Sequence, residues 1–224
     1  MGGTPNVDYE YTLERSDRKT LSVAYHPKKG VLVKAPNGLS EERILIFLAK
    51  HEDWINKQIS QNEQEKHYFD DVIKCKKILF LGKKMSVVRV DDTTKLTERW
   101  FAVKFGQDVA RNAKRVLKNE AVKLIPEIVK EYAAKMGVTP KSVEIKDYKS
   151  RNGACTNEGD LTFSWRIIMV DYPLVEYVVV HELAHLKHFD HSKDFWKEVE
   201  IYIPDYKKRR KALELYRIKD TLYR

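Results

Sequence analysis

Apolar and polar residues alternate along the first part of the chain, from Tyr9 to Ala35. A repeat of two is typical of strands with one buried face, and His26, Pro27 and Gly30 interrupt it near the middle. This stretch therefore predicts a β-hairpin. The pattern then changes to helical spacing, and Ser40 stands where its side chain can cap the predicted helix.

Short apolar runs return between Ile78 and Phe105, separated by charged residues and turn formers. They predict a short antiparallel sheet. After Gly106 the apolar positions keep helical spacing over a long stretch. Pro126 is expected to kink or restart this helix, and Gly137 to cap its end. The middle of the chain is thus predicted to be a sheet followed by a long helix.

The last third begins with two strand patterns, Val143–Tyr148 and Asp160–Met169, which a turn at Asn152 and Gly153 is expected to separate. The segment that follows is apolar on nearly every side of a helix, and Pro173 fits its first turn. A helix of this kind is predicted to be buried.

Four of the chain's seven histidines lie within residues 181–191 of this region. They are His181, His185, His188 and His191. His181 and His185 bracket Glu182 in the pattern H-E-x-x-H, and residues four apart lie one turn apart on the same helix face. Both imidazoles can therefore bind one zinc ion. Glu182 can accept a proton from a zinc-bound water and so act as general base.

A catalytic zinc ion usually has three protein ligands, so a third side chain is needed beside His181 and His185. His188 and His191 are the candidates. Three ligands along one straight helix would not converge on an ion. A chain that leaves the helix near His188 and turns back would bring His191 to it, and we favour His191. Cys155 is expected to be a buried thiol rather than a ligand. In the alternative without a metal, the histidines are packing residues of a buried helix and need polar partners.

Two more helices are predicted after these histidines. Ser192 can cap the first, and its aromatic side chains would brace the turn that holds His191. Pro204 would end it. The remainder, Asp205–Arg224, is predicted as a charged C-terminal helix.

A likeness to a known family extends over nearly the whole chain. The residues that carry it are the run KSRNGACTNEGDLTFSWRIIMVDYPLVEYVVVHELAHLKHFDHSKDFWKEVEIYIPDYKKRRKAL and the earlier segments ERSDRKTLSVAYHPKKGVLVKAP, HEDWINKQ and LFLGKK. They resemble the YgjP-like zinc metallopeptidase family, a relative of SprT-like and Wss1-like proteases. The resemblance implies zinc binding by His181, His185 and His191, with Glu182 as catalytic base.

Two stretches depart from the pattern of that family. The family usually has R-W-G-S-C before the strand on the substrate side, where this chain reads R-N-G-A-C from Arg151 to Cys155. Ser164 stands where the family often has asparagine. These changes spare the metal motif and bear on substrate preference. Arg151 is itself a candidate for binding substrate or stabilising developing negative charge, with a structural ion pair as the alternative.

Charge and cysteine content lead to expectations about a binding partner and a cellular compartment. The net charge of +9 predicts affinity for an anionic partner such as nucleic acid, an acidic protein or a membrane surface, among which composition does not choose. Binding to nucleic acid would weaken steeply with salt. The basic clusters Lys74–Lys84 and Lys207–Lys211 are explained better as solvated surface than as nucleic-acid contacts. The 2 cysteines fit a reducing compartment. No leader pattern or long apolar segment is visible, so a cytoplasmic protein without a membrane span is expected.

Together these patterns predict an α+β protein. Residues 1–105 form a strand-rich N-terminal region with a helical arm, and residues 106–224 form a zincin-like catalytic domain. The strand near Leu161–Ile168 would line the cleft and pair with an extended peptide or protein substrate. The predicted function is zinc-dependent peptide hydrolysis by a zinc-bound water that Glu182 assists. One rival is a basic nucleic-acid-binding module with a structural or vestigial zinc site, against which Glu182 argues. The other is hydrolysis of a non-peptide amide.

Overall fold

The computed structural model describes residues 7–26, 29–216 and 222–223. These residues belong to two compact units, Met1–Tyr68 and Phe69–Arg224. The domain boundary predicted from the sequence lies between residues 105 and 106, so the boundary of the compact units falls elsewhere. No described helix combines the length and apolar character needed to cross a bilayer.

The first unit combines a three-stranded sheet with two helices. Its elements are β1 Tyr11–Ser16, β2 Ser22–His26, β3 Gly30–Pro36, α1 Glu41–Lys50 and α2 Glu52–Tyr68. β3 lies in the middle, antiparallel to β2 and parallel to β1. The predicted hairpin is confirmed as β2–β3, although Pro27 of its turn lies outside the described residues. The parallel strand β1 was not predicted.

The core of this unit follows from the period of two in β3 and the helical spacing in α1 and α2. Alternate residues of β3 pack with residues of the two helices, namely Val31, Val33, Ala35, Ile44, Leu48 and Ile55. Ile44 and Leu48 are four residues apart and so lie on one face of α1. Ser40 is the N-cap residue of α1, as predicted, but its side chain makes no capping hydrogen bond.

The second unit begins with a short helix and a mixed sheet. Its first elements are α3 Asp70–Ile73, β4 Lys77–Phe80, β5 Lys83–Val90, β6 Lys95–Leu96 and β7 Trp100–Lys104. The strand order is β4-β5-β7-β6, and β5 and β7 are parallel. The prediction of an antiparallel sheet was wrong at this pair. β6 lies between β5 and β7 in the chain, but it pairs with β7 at the edge of the sheet. β7 therefore lies beside β5 and runs parallel to it.

A long helix and a second small sheet follow. They are α4 Val109–Met136, β8 Ser142–Lys146, β9 Gly153–Cys155, β10 Asp160–Ser164 and a 3-10 helix, Trp165–Met169. α4 runs through Pro126 as one helix. It ends at Gly137, whose φ of 64° is the left-handed conformation that favours glycine at a helix end. The predicted glycine cap is therefore confirmed.

The small sheet corrects two predictions. Its order is β8-β10-β9, so β10 has a neighbour on each side. A peptide therefore cannot pair with the strand predicted near Leu161–Ile168, and the second part of that segment is the 3-10 helix. The expected turn at Asn152 and Gly153 is also wrong at Gly153, because antiparallel pairing with β10 makes Gly153–Cys155 a strand.

Three helices complete the described fold. They are α5 Tyr172–Ala184, α6 Lys193–Tyr202 and α7 Tyr206–Leu213. Pro173 lies in the first turn of α5, as predicted. Ser192 caps α6 by accepting a hydrogen bond from the Phe195 N–H at 3.4 Å. The predicted helix Asp205–Arg224 forms as far as α7, while residues 217–221 and 224 lie outside the described residues.

One hydrophobic core runs through the second unit, which explains why its boundary lies at residue 69. Ile78, Phe101 and Val103 of the first sheet are fully buried in the same cluster as Val179 of α5. Burying the β4–β7 sheet against the rest of this unit removes apolar surface from water that a boundary at residue 106 would leave exposed.

The turn between β4 and β5 also holds the start of α5. The Leu81 N–H donates to the Ile168 carbonyl at 2.8 Å. Gly82 has a φ of 77°, and a Cβ there would lie 1.7 Å from a carboxylate oxygen of Asp171, the N-cap residue of α5. Only glycine fits this close approach.

A partly buried polar contact fixes α5 from its other side. Glu176 of α5 accepts hydrogen bonds from the Tyr132 hydroxyl at 2.8 Å and from Arg209 Nη1 at 3.1 Å. Arg209 also donates to the Pro173 carbonyl at 2.8 Å. Since Tyr132 is on α4 and Arg209 on α7, these bonds tie three helices together.

Candidate metal centre

The helix that carries the H-E-x-x-H pattern is buried, as its composition predicted. Val179, Val180, Leu183 and Ala184 have no exposed surface. The helix ends at Ala184, and His185 is its C-cap residue. The segment 186–192 then leaves the helix and leads to α6.

Three histidine side chains converge beside the end of α5. They are those of His181, His185 and His191, each of which offers one nitrogen within 4.8 Å of the other two. His191 Nε2 lies 3.1 Å from His181 Nε2. The chain therefore turns back after the helix and brings His191 to the first pair. His188 contributes its main chain to this arrangement and is not in the cluster.

The fourth histidine takes part through its carbonyl group. His185 Nδ1 lies 3.0 Å from the His188 carbonyl oxygen, which can only accept a hydrogen bond. His185 Nδ1 is therefore the protonated nitrogen. Its Nε2 then keeps a free lone pair, which is the form that binds a metal ion.

The donor set suits a zinc ion. Nε2 atoms of two imidazoles 3.1 Å apart need a proton or a cation between them, because two lone pairs at that distance repel each other. Three imidazole ligands with one position left open are the set that catalytic zinc sites use. The residues present therefore fit the metal that the sequence motif predicts.

Burial favours the neutral form of His181. Burial, followed by the neighbouring charges of His185 and His191, lowers the pKa of His181 to about 3. Burial also lowers the pKa of His185. A neutral imidazole is the form that a metal ion requires, so burial keeps His181 and His185 in the form that can bind one.

Glu182 is buried next to this cluster, with 6% of its surface exposed. Burial raises the pKa of its carboxyl group to about 7, and the positive charge of Arg151 opposes this shift. A carboxylate with a pKa near the working pH is suited to taking up and releasing a proton. The position of Glu182 on α5 turns it away from the direction of the imidazoles, because successive helical residues project about 100° apart.

A glycine on β9 makes room for Glu182. A Cβ on Gly153 would lie 2.7 Å from Glu182 Cγ and 2.8 Å from its Oε1. The backbone of β9 therefore packs directly on the carboxylate side chain. Sequence patterns do not reveal this contact, because Asn-Gly is a common turn signal and the contact depends on how β9 pairs.

A comparison with family models decides what this chain is related to. The model of the YgjP-like, metallopeptidase domain matches residues 19–216. The chain belongs to the YgjP-like family. It is thus a metallopeptidase, and the likeness seen in the sequence is confirmed. The α+β fold agrees with the predicted class. Among curated proteins, none matched this YgjP-like chain.

Two solved structures are similar to part of this YgjP-like protein. The first is the crystal structure of the metallopeptidase zymogen of Pyrococcus abyssi abylysin, whose sequence is 24% identical. The match covers 40% of this chain and 91% of the abylysin chain, with a TM-score of 0.38. The second is the crystal structure of the metallopeptidase zymogen of Methanocaldococcus jannaschii jannalysin, whose sequence is 24% identical. The match covers 44% of this chain and 97% of the jannalysin chain, with a TM-score of 0.37. Family membership rests on the match along residues 19–216.

Arg151, the predicted substrate-binding residue, is exposed just before β9. Its guanidinium carbon lies 5.4 Å from the centre of the Tyr148 ring. Its charge is close enough to lower the pKa of Glu182. Arg151 therefore lies at the side of the site formed by β9, and its role toward substrate stays a prediction.

Several residues of the basic clusters are neutralised locally. Lys74 pairs with Asp70 at 2.7 Å and Lys77 with Asp71 at 3.1 Å. In the second cluster Arg209 belongs to the contact with Glu176 described above. These pairs favour the solvated-surface interpretation. Nucleic acid as a partner of this YgjP-like protein stays a prediction.

Proposed function

We propose that this YgjP-like protein hydrolyses peptide bonds with a zinc ion held by His181, His185 and His191, and that Glu182 is the general base. The observation that carries the proposal is the convergence of three imidazoles, with a 3.1 Å separation between the Nε2 atoms of His181 and His191. A carboxylate buried beside such a cluster is the arrangement that the H-E-x-x-H pattern predicts.

The chain's own groups divide the work of the reaction. Zinc bound by the three imidazoles would act as a Lewis acid that polarises the scissile carbonyl. Glu182 takes a proton from the attacking water and later delivers it to the leaving amine. Its raised pKa suits both steps, because the group must release the proton that it has accepted.

The peptide substrate would lie along β9. Among the described strands β9 pairs only with β10, so its other edge is free. The Asn152 carbonyl accepts a hydrogen bond from the Ser164 N–H at 2.8 Å, which directs the main chain of Asn152 toward β10. Successive residues of a strand point their main-chain groups in opposite directions. Gly153 and Cys155 therefore present theirs to the free edge, where an extended peptide can pair.

Arg151 is proposed to guide the peptide on this edge. It lies two residues before the start of β9, and it is the positive charge that lowers the pKa of Glu182. An exposed guanidinium there can bind a carbonyl or carboxylate group of the substrate.

The test of the proposal is hydrolysis of an unbiased peptide library by the purified protein. Removal of the metal with a chelator should abolish cleavage, and one equivalent of zinc per chain should restore it. Mass spectrometry of the products would identify the bonds cut. A protein that binds zinc and cuts no peptide, but does hydrolyse small amides or retains nucleic acid, would support one of the two rival functions instead.

Replacing Gly153 with alanine is expected to lower kcat by up to about 10²-fold, because the new methyl group displaces Glu182. Zinc content should be unchanged, since the three imidazoles are on other residues. Steady-state kinetics on one peptide, with zinc per chain measured in parallel, would check this.

The matched control for Gly153 is Gly38→Ala. It adds the same methyl group at a glycine where a Cβ meets nothing within 4 Å. This variant should keep the original kcat. An unchanged kcat in Gly153→Ala would mean that Glu182 has room to move and that Gly153 does not position it.

A further inference from the structure

The orientation of the metal ligands is supported by few hydrogen bonds. A ligating imidazole usually donates its second nitrogen to an acceptor, which sets the angle of the ring. His185 has such a partner in the His188 carbonyl. His181 Nδ1 is buried and has no hydrogen-bond partner in the described part of the chain. Some other contact must therefore orient this ring.

Phe195 touches all three imidazoles. Its ring centre lies 5.0 Å from that of His181, 4.5 Å from that of His185 and 4.8 Å from that of His191. It meets His181 and His191 edge to face, at interplanar angles of 76° and 69°. Phe195 itself has no exposed surface. One rigid ring is thus in van der Waals range of the whole ligand set.

Trp196 supports the third ligand. Its ring stacks on His191 at 5.7 Å with an interplanar angle of 29°. Tyr206 stacks on Trp196 at 5.1 Å, and the Arg210 guanidinium lies 5.2 Å from the Trp196 ring centre. Tyr206 and Arg210 are four residues apart on α7 and share one face of that helix. This layer therefore connects the exposed loop residue His191 to a helix of the core.

The connection to α6 is short. His191 directly precedes Ser192, whose hydroxyl accepts from the Phe195 N–H and caps the helix. Phe195 and Trp196 therefore lie in the first turn of α6, the helix that follows the third ligand. The cap fixes both the direction of the helix and the place of its rings.

We propose that Phe195 and Trp196 are the positioning residues of the metal centre and hold the imidazoles in the arrangement that binds zinc. This inference rests on the proposed function, since it requires His181, His185 and His191 to be the ligands. The rings take the role that hydrogen bonds from an outer shell have in other zinc sites. Loss of either ring frees an imidazole to rotate, and metal binding must then order it again.

The test measures zinc affinity of the metal-free full-length protein by competition with a chromogenic chelator. Phe195→Leu and Trp196→Leu should each weaken zinc binding by about 10- to 100-fold, the loss that outer-shell changes typically cause. Trp196→Phe keeps a stacking ring and should recover most of the affinity. The absorption spectrum of the cobalt-substituted protein should change in the leucine variants and return in Trp196→Phe.

The matched control is Val199→Ala, on α6 one turn beyond Phe195 and likewise fully buried. It should lower the melting temperature of the metal-free protein without changing zinc affinity. If the original protein and both leucine variants bind zinc equally well, the positioning role of Phe195 and Trp196 is wrong, while the proposed function still stands. An equal loss in Val199→Ala would overturn the positioning role too, because general packing would then explain the effect. If Phe195→Leu does not fold, the two Trp196 variants decide. A wild-type protein that binds no zinc would overturn the proposed function itself.

Discussion

Replacing Glu182 with glutamine is expected to lower the rate of peptide hydrolysis by at least about 10²-fold, the lower range for general-base catalysis. Glutamine has nearly the same shape, so its packing against Gly153 should be kept and the fold should not change. It cannot accept a proton as a carboxylate does. The variant should therefore still bind one zinc ion per chain, because the three imidazoles are untouched.

The measurement compares both proteins on the same peptide mixture, with zinc content and melting temperature determined for each. Equal cleavage rates would exclude Glu182 as the base. Loss of zinc in the variant would show instead that the carboxylate helps to hold the metal. Cleavage by neither protein across a broad library would count against peptide hydrolysis by the isolated chain.

Replacing His191 with alanine is expected to weaken zinc binding strongly. Loss of a residue that only supports a ligand typically weakens metal binding by about 10- to 100-fold, and loss of a ligand itself should cost more. His191 Nε2 lies 3.1 Å from His181 Nε2, so its removal takes away one of three nitrogen donors. The site would then offer two protein ligands, fewer than catalytic zinc sites use. Competition with a chelator of known affinity, at one pH, gives the change directly.

The matched control is His188→Ala in the same loop. The observed contact of His188 with the cluster is through its carbonyl oxygen, which accepts from His185 Nδ1 and is retained by alanine. Zinc affinity of this variant should therefore stay close to that of the original protein. The opposite ranking of the two variants would identify His188 as the third ligand.

Local patterns in the sequence were sufficient for much of the site. The placement of His181 and His185 on one helix face follows from helical spacing alone, because residues four apart must share a face. Pro173, Gly137 and Ser192 mark helix ends correctly, since each of these effects depends on one residue and its near neighbours. The same is true of the buried character of α5, which its apolar residues on every side require.

The choice between His188 and His191 needed more than spacing. The sequence favoured His191 from the argument that ligands along one helix do not converge. Only the structure shows that α5 ends at Ala184 and that the following loop returns His191 to the cluster. A turn of this kind depends on what the loop packs against, here the aromatic residues at the start of α6.

Pairing between distant strands was the part that the sequence determined least. Alternation predicted strands in β4–β7 but not the parallel pairing of β5 with β7, because a period of two is the same in either direction. The Asn-Gly pair before β9 indicated a turn, and pairing with β10 overrode that preference at Gly153.

The sequence by itself thus determined the long helix α4 with its glycine end, the buried helix α5, the cap of α6 and the spacing of the H-E-x-x-H pattern, because these depend on contacts within a few residues. Only the tertiary structure decided which loop residue joins the histidine cluster, which edge of β9 is left unpaired among the described strands, and that Gly153 packs on Glu182. Each of those depends on segments that are far apart in the chain, whose meeting is set by the shared core rather than by any local preference.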